Sequence, residues 1–384
     1  MSMRRLFVLG VLVSVIVTLA SLNVSDDPDD DVTDSDMVYE FDEGLLVERG
    51  SIEEADGSVQ YDFYRDTCPE AGAIVWRTMK QIVFDHKNST AQLLRLLFHD
   101  CFIEGCDASI LLDDSSGNRS AERQAIPNKT LKGFNFIDAI KEELEKACPG
   151  VVSCADIVVL ATRDGIALSG GPFFPVLTGR RDGIQSFFDK AMAEIPRPDG
   201  NISETLRLFA LRGFSERETV ALLGGHNIGH FSCEFIQTRL SNFMGTGQPD
   251  TTIPSDFLEV MRRTCSERNI SSADDGGDAP SPMRARRLRE FTKSMTYQDL
   301  STSISSGPGF DAHYYQSLLR GRGLLFSDQQ LMAYNKTAEV VKEYGLDDGK
   351  TFRLDFARAM IKLSAFGVLT GSRGEVRLTC SMLN

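Results

Sequence analysis

An arginine and a histidine four residues apart are the first groups in this chain whose spacing suggests chemistry. Arg95 and His99 lie in an apolar segment that predicts a helix, so both side chains project from one face. The guanidinium disfavours the imidazolium form, which leaves His99 able to accept a proton near neutral pH. The pair suits a peroxide, because the imidazole takes a proton from one oxygen while the cation stabilises negative charge growing on the other.

The loop after this helix carries hard oxygen donors. They are the side chains of Asp100, Asp107 and Ser109 and the backbone carbonyls of Ile103 and Gly105. Ca²⁺ takes about six to eight such oxygens, so the loop predicts a calcium site. Cys101 and Cys106 could clip the same loop, and the alternative is an acidic turn with a local disulfide and no ion.

A second histidine follows paired glycines in an apolar stretch. The small residues Gly224 and Gly225 would let a flat cofactor approach, which makes His226 a candidate metal ligand, although a lone histidine there is more often a satisfied core residue. His230, four residues on, invites a zinc interpretation. The glutamate and third ligand that a hydrolytic zinc helix needs are missing, and so is the CxxCH motif of covalently attached haem.

The elements that must position these groups are mainly helices. Apolar residues recur at helical spacing from about residue 58, clean period-two runs are scarce, and Gly and Pro separate helices of ordinary length. A chain of 384 residues has material for one large or two intimate domains. Ser, Asp, Gly and Pro followed by an arginine-rich patch predict a mobile surface insertion over residues 266–298.

The amino-terminal residues predict export. Residues 1–22 join a basic start to an apolar run, which is typical of a signal peptide, and an uncleaved anchor is the alternative. Residues 23–57 predict a solvated, disordered leader, since residues 26–56 hold fourteen Asp and Glu against one Arg. Without a basic patch strong enough to neutralise phosphates, nucleic acid is not an expected partner.

Cysteines and sequons agree with an oxidising compartment. Eight cysteines imply up to four disulfides, although 105 pairings are open from the sequence alone. Acceptor sequons for N-glycosylation stand at Asn88, Asn118, Asn201, Asn269 and Asn335.

Taken together, these motifs resemble the plant class III secretory peroxidases from about Gln60 to the end of the chain. The matching segments are FHDCF at 98–102, GCDASILLD at 105–113, SCADI at 153–157, GRRDG at 179–183, GGH at 224–226, FD and YY at 310–315, and SDQ at 327–329. The resemblance implies a mainly α-helical, two-domain fold with one haem b between a distal part of about 58–200 and a proximal part of about 201–384.

The resemblance also implies residue roles. His99 would accept the proton, Arg95 would stabilise the transition state and His226 would be the axial iron ligand. The supporting residues would be Phe98 at the distal side of the haem, Asn128 fixing the His99 tautomer, Asp328 accepting a hydrogen bond from the axial imidazole, and Pro196 at the aromatic-donor site. The implied disulfides are Cys68 with Cys148, Cys101 with Cys106, Cys154 with Cys380, and Cys233 with Cys265.

Two calcium sites follow from the same resemblance. The distal one adds Glu122 to the loop donors, and the proximal one would use Asn227, Asp299, Thr302 and Asp311. Here the chain departs from the family pattern, because Asn227 stands where threonine is usual and Asp299 lies about four residues too far from Asp311. One calcium ion is therefore expected, and the second stays open.

The implied activity is oxidation of two phenolic or similar donor molecules per H₂O₂, with release of water, by a secreted monomer. Roles in H₂O₂ removal, oxidative stress and cell-wall phenolic or lignin chemistry would follow, in the extracellular space, the wall or the vacuole. No membrane contact is expected after signal cleavage. A secreted haem-binding module on the same fold is the alternative from another functional class.

Overall fold

The computed structural model describes residues 59–113, 121–266, 294–297 and 310–384, which all lie in one compact unit. The predicted signal peptide at 1–22, the acidic leader at 23–57, most of the insertion at 266–298, and both Asp299 and Thr302 lie outside the described residues.

Helices dominate the described residues, as the apolar spacing predicts. The first seven are α1 Ala71–Asp85, α2 Ser89–Cys101, α3 Phe134–Ala147, α4 Cys154–Leu168, α5 Phe188–Glu194, α6 Ile202–Ala210 and α7 Glu216–Leu223. The next six are α8 Cys233–Ser241, α9 Ser255–Ser266, α10 His313–Leu319, α11 Phe326–Gln329, α12 Asn335–Leu346 and α13 Lys350–Ser364. Short 3₁₀ turns include Ser109–Leu111, Glu122–Gln124, Ile126–Asn128 and Gly224–Asn227.

Helix α4 is the centre of the first group of helices. It packs against α1, α2 and α3, and its own residues are almost all buried. Ser153 caps its first turn by accepting a hydrogen bond from Asp156 N at 3.2 Å. The hydroxyl of Thr162 donates to Leu93 O at 3.2 Å, which ties α2 to this core. The helix that bears Arg95 and His99 is therefore fixed along its buried face.

A second group of helices surrounds α7. This helix packs against α13 and α12, and α10 packs against α12. Ser215 and Glu218 form a capping box at its start, with hydrogen bonds of 3.2 Å and 2.7 Å to each other's backbone N–H groups. The chain continues from α7 directly into the 3₁₀ turn Gly224–Asn227. Capping thus defines the start of the element that leads to His226.

Two short strands bring part of the predicted insertion into the core. Strand β1, Phe231–Ser232, pairs antiparallel with β2, Ser294–Met295. Met295 and Tyr297 are buried. The expectation of a surface segment is therefore wrong for these two residues, because strand pairing and burial of an apolar and an aromatic side chain outweigh the polar composition around them.

Four disulfides are present among the described residues, three between distant segments and one within a single loop, and they are the same pairs that the resemblance implies. They link Cys68 to Cys148, Cys101 to Cys106, Cys154 to Cys380, and Cys233 to Cys265. Among the described residues, no helix has the length and apolar character that a membrane span requires.

Candidate active site

His99 is held by a hydrogen bond that determines its tautomer. Its Nδ1 lies 2.7 Å from Asn128 Oδ1, while Asn128 Nδ2 donates to Glu122 O at 2.8 Å. Because the amide nitrogen already faces a carbonyl, the amide oxygen faces the imidazole and can only accept. The proton therefore resides on Nδ1, and Nε2 of the neutral ring is a free base.

Burial keeps that ring neutral. His99 is only 5% exposed, and desolvation lowers its pKa to about 3, with further contributions from the charges of Arg95 and His226. The sequence predicts the effect of Arg95 but not that burial is the larger cause. The charge of His226 is the smallest of these contributions.

The guanidinium of Arg95 is fixed from the same short segment that holds His99. Its Nη2 donates to Pro127 O and its Nη1 to Thr130 Oγ1, both at 3.0 Å. Burial lowers the pKa of Arg95 to about 10, so the group stays charged at neutral pH. Residues 127–130 therefore orient both distal groups.

Phe98 belongs to an aromatic cluster beside His99. Its ring stacks on Phe102 with centroids 4.7 Å apart, and Phe209 lies 5.8 Å away. The His99 ring approaches it edge-on at 5.9 Å. His99 therefore has aromatic neighbours, and the role that the resemblance implies for Phe98 beside a haem stays a prediction.

In the predicted distal calcium loop, backbone N–H groups of the loop donate hydrogen bonds to its own carboxylates. Asp100 Oδ2 accepts from Ala108 N at 3.0 Å, and Asp107 Oδ1 accepts from Ser109 N at 3.0 Å. Gly105 has φ +127°, and a side chain there would collide with the backbone of Gly367. The loop therefore closes tightly around its acidic residues.

The loop brings three buried carboxyl groups together and leaves two buried oxygens without a hydrogen-bond partner in the part of the chain that the structure describes. Burial raises the pKa of Asp100, Asp107 and Glu122, that of Glu122 to about 7, and repulsion among these carboxylates adds to the shifts of Asp100 and Glu122. Within the described chain, Ser109 Oγ and Glu122 Oε2 are buried without a hydrogen-bond partner. A cation would relieve both conditions, so this donor set fits calcium.

His226 lies in the 3₁₀ turn that follows α7. Gly224 is required beside it, since a Cβ there would lie 2.2 Å from Tyr315 Oη and 2.3 Å from Phe352 Cε2. His226 Nδ1 donates to Asp328 Oδ1 at 2.8 Å, which leaves Nε2 available as a ligand. With 36% of its side chain exposed, His226 can meet a bound group.

Asp328 accepts more than the imidazole. It is fully buried, and the hydroxyls of Tyr297 and Tyr314 donate to its Oδ2 and Oδ1 at 2.7 Å and 3.0 Å. The YY motif contained Tyr314 but pointed to no role, and Tyr297 was missed because it lies inside the predicted insertion. The resemblance indicates the bond from His226 to Asp328, but no local sequence signal indicates the two tyrosine hydroxyls.

Two of the four residues predicted to bind the proximal calcium, Asn227 and Asp311, are described, and they are hydrogen-bonded to each other. Asn227 Nδ2 donates to Asp311 O at 2.8 Å and to Asp311 Oδ1 at 3.0 Å, while Asn227 Oδ1 accepts from Tyr314 N at 3.1 Å. The carboxylate also accepts from His313 N at 3.0 Å, and its Oδ2 lies 2.5 Å from His313 Nδ1. Asn227 thus presents N–H groups to Asp311, whose Oδ2 is buried without a hydrogen-bond partner among the described residues. Because Asp299 and Thr302 lie outside the described residues, the second calcium site stays open.

Pro196 lies in the loop between α5 and α6. Two residues further on, Pro198 and Asp199 line a cavity of about 270 Å³. Phe235, Phe243, Met244 and Phe326 supply apolar walls to this cavity. Across the described residues, no group of three or more His, Cys, Asp or Glu side chains is placed to hold a metal ion by itself, so the zinc interpretation of His226 and His230 gains no further ligand. A calcium ion in the distal loop would therefore also need the Ser109 hydroxyl and the backbone carbonyls.

A buried, neutral histidine beside a fixed arginine, together with a second histidine supported by a carboxylate, is the set of groups expected of a peroxidase with a helical fold. Comparison with known proteins agrees. A family model described as peroxidase matches residues 75–347. Putative Peroxidase 48 of Arabidopsis thaliana is 43% identical over 333 residues, which cover 84% of this chain and 82% of the relative. Peroxidase 39 of the same plant is 38% identical over 344 residues, covering 88% of this chain and 97% of the relative.

The chain belongs to the peroxidase family, as a class III plant peroxidase. The resemblance and the mainly helical fold drawn from the sequence are confirmed. The protein is an oxidoreductase that carries out H₂O₂-dependent oxidation, and its family implies haem, calcium and small reducing substrates.

Proposed function

We propose that His99 is the proton acceptor for bound H₂O₂, that Arg95 stabilises the charge that develops, and that His226 is the axial ligand of one haem b between a distal and a proximal domain. The observation that carries this proposal is the pair of oppositely supported histidines. Nδ1 of His99 is bound by Asn128 and Nδ1 of His226 by Asp328, so each ring keeps its Nε2 available.

The residues present fit a haem. His226 offers an unprotonated nitrogen backed by a buried carboxylate, and Phe98 offers an apolar wall on the opposite side. When bound, the ferric haem would supply the two electrons that cleave the peroxide bond.

The protein supplies proton movement and charge. Nε2 of His99 would take the proton from one oxygen of H₂O₂ and return it to the other oxygen, which would leave as water. The fixed guanidinium of Arg95 stabilises negative charge on that oxygen without rearranging. Phe98 and its aromatic neighbours exclude water from this side, which strengthens both interactions.

Pro196 and the adjacent cavity support small aromatic donors as reductants. The cavity walls of Phe235, Phe243 and Phe326 favour flat apolar molecules. Ile126, which is 67% exposed, adds an apolar surface on the turn Ile126–Asn128. We assign phenols as the donor class.

We further propose that the protein binds one calcium ion, at the distal loop. The ligands would be Asp100, Ile103, Gly105, Asp107 and Ser109, with Glu122 behind them. Buried, partnerless Ser109 Oγ and Glu122 Oε2 support this ion, whereas the Asn227 to Asp311 hydrogen bonds oppose a second one.

We also propose that the protein is secreted as a monomer. Four disulfides among the described residues require an oxidising compartment, and the signal-peptide pattern at 1–22 supplies a route. The extracellular space and cell wall suit phenol oxidation.

Haem binding to the refolded full chain tests the proposal. The protein with haem should give the absorption spectrum of a five-coordinate ferric haem and a fast spectral shift on adding H₂O₂. His226→Ala should lose that spectrum, whereas His230→Ala, a matched change four residues away, should keep it. Haem binding without any shift would favour a haem-binding module, and an unchanged spectrum in His226→Ala would refute the axial assignment.

A further inference from the structure

The carboxylate of Asp328 is shared among three donors. Besides His226 Nδ1 on Oδ1, it receives the hydroxyl of Tyr314 on Oδ1 at 3.0 Å and the hydroxyl of Tyr297 on Oδ2 at 2.7 Å. Hydrogen bonds to a charged acceptor are about twice as strong as neutral ones. The negative charge of the Asp328 carboxylate is therefore shared among three hydrogen bonds, of which the bond from His226 is only one.

The direction of the Tyr297 proton follows from its second contact. Leu324 N donates to Tyr297 Oη at 2.8 Å. Because the phenolic oxygen already accepts this bond, its own proton is free to point at Asp328. Tyr297 is therefore a donor to the carboxylate.

These bonds are shielded from water. Tyr297, Tyr314 and Asp328 are each 0% exposed, and Phe231 covers both His226 and Tyr297 with ring centroids at 5.3 Å and 5.6 Å. In such surroundings a hydrogen bond is electrostatically stronger than in water. The two hydroxyls are thus effective competitors for the carboxylate charge.

Tyr297 and Tyr314 lie on two separate elements of the fold, and both contact Asp328. The pairing of Phe231 with Met295 places Tyr297 beside Phe231. Tyr314 stands at the start of α10, where its backbone N–H donates to Asn227, the neighbour of His226. The arrangement therefore depends on the fold and not on one local motif.

We propose that Tyr297 and Tyr314 are positioning residues that limit how much electron density His226 passes to the haem iron, by sharing the charge of Asp328. This inference rests on the proposed function of His226. Each phenolic hydrogen bond weakens the pull of the carboxylate on the His226 Nδ1 proton. The imidazole then keeps more neutral character, which stabilises ferric iron less than a fully polarised imidazole would.

The test is the ferric/ferrous midpoint potential of the haem-loaded protein. Tyr297→Phe and Tyr314→Phe each remove one hydroxyl from Asp328 and should each lower the potential, and the double variant should lower it further. A tenfold change in the ferric/ferrous equilibrium, which we expect for the double variant, corresponds to about 59 mV for a one-electron couple. The iron–histidine stretching frequency of the ferrous protein should rise in the same order.

Tyr315→Phe is the matched control. Tyr315 is also fully buried and adjoins Tyr314, but its hydroxyl donates to Val220 O at 3.0 Å. This change removes a buried phenolic hydrogen bond from the same helix without touching Asp328, so it should leave both the potential and the stretching frequency unchanged.

The outcomes separate the inference from the function on which it rests. Potentials and stretching frequencies that match wild type in both variants at Tyr297 and Tyr314, or that shift equally in Tyr315→Phe, would overturn the inference alone. A wild-type spectrum that survives His226→Ala would overturn the proposed axial role and the inference together.

Discussion

Nδ1 of His99 lies 2.7 Å from Oδ1 of Asn128, and this contact alone determines which nitrogen can meet a peroxide. Asn128 is in turn oriented by its 2.8 Å bond to Glu122 O, in the turn next to the predicted calcium site. The base, its tautomer and the distal loop are therefore one connected unit.

Replacing Asn128 with valine should slow the reaction with H₂O₂ by about 10- to 100-fold, by analogy with the loss of a hydrogen bond that supports a metal-ligating histidine. The imidazole loses the acceptor that keeps its proton on Nδ1. Stopped-flow spectroscopy of the haem-loaded protein measures the effect. Lys129→Ala, an exposed neighbour, is the control, and equal rates in the two variants would contradict the role of Asn128.

Replacing Arg95 with leucine should change the pH profile as well as the rate. The pKa of His99 is about 3, so the free base is present above that pH and is lost as the pH falls through it. Arg95 is the second cause of this lowering, so its removal should raise the pKa and move the acid limb of the rate profile to higher pH. The rate on the plateau should fall by about 10²- to 10³-fold.

Rates of H₂O₂ reduction from low to neutral pH test this expectation. Arg65→Leu, which removes an exposed arginine, should leave the acid limb in place. An acid limb that stays put in Arg95→Leu would show that the guanidinium does not control the protonation of His99.

Removing the distal calcium should destabilise the protein. Wild type should contain about one calcium per chain, and a chelator should lower its melting temperature, because an ion that binds only the folded state stabilises it. Asp107→Asn should lower the calcium content and make the melting temperature insensitive to chelator. Metal analysis and thermal unfolding measure both.

A change at Asn227, on the proximal side, should affect stability but not calcium content. Asn227→Ala removes the bonds to Asp311 and should lower the melting temperature while leaving calcium content at about one ion. Two ions per wild-type chain, with one lost in Asn227→Ala, would refute the single-calcium proposal.

The cap of α7 should contribute measurable stability. Ser215→Ala removes the hydroxyl that accepts from Glu218 N and should cost about 0.5–2 kcal/mol in free energy of unfolding. Denaturant titration measures the change. Ser241→Ala, at the exposed end of α8, is the control and should cost less. Equal losses would show that the capping box is unimportant for the helix that leads to His226.

Local spacing explains why the distal half could be predicted. Arg95 and His99 share a helix face through a separation of four residues, and the calcium donors follow within a single loop, so neighbours in sequence are neighbours in space. The role of Asn128 came from the family resemblance, since nothing local indicates which amide reaches His99.

The proximal half depends on contacts between distant segments. Tyr297 reaches Asp328 through strand pairing, and Asn227 reaches Asp311 across 84 positions. Polar composition around Tyr297 predicted a surface insertion, and a single asparagine gave no indication that its amide would face the carboxylate. Such pairings arise from tertiary packing and leave no periodic signal in the sequence.

The central claim is that His99 accepts the peroxide proton. The most direct test is the second-order rate of the spectral shift when H₂O₂ is mixed with haem-loaded His99→Ala. General base catalysis contributes about 10²- to 10⁴-fold, so the rate should fall by that factor while the resting spectrum, set by His226, is retained. A His99→Ala rate within a few-fold of wild type would contradict the claim.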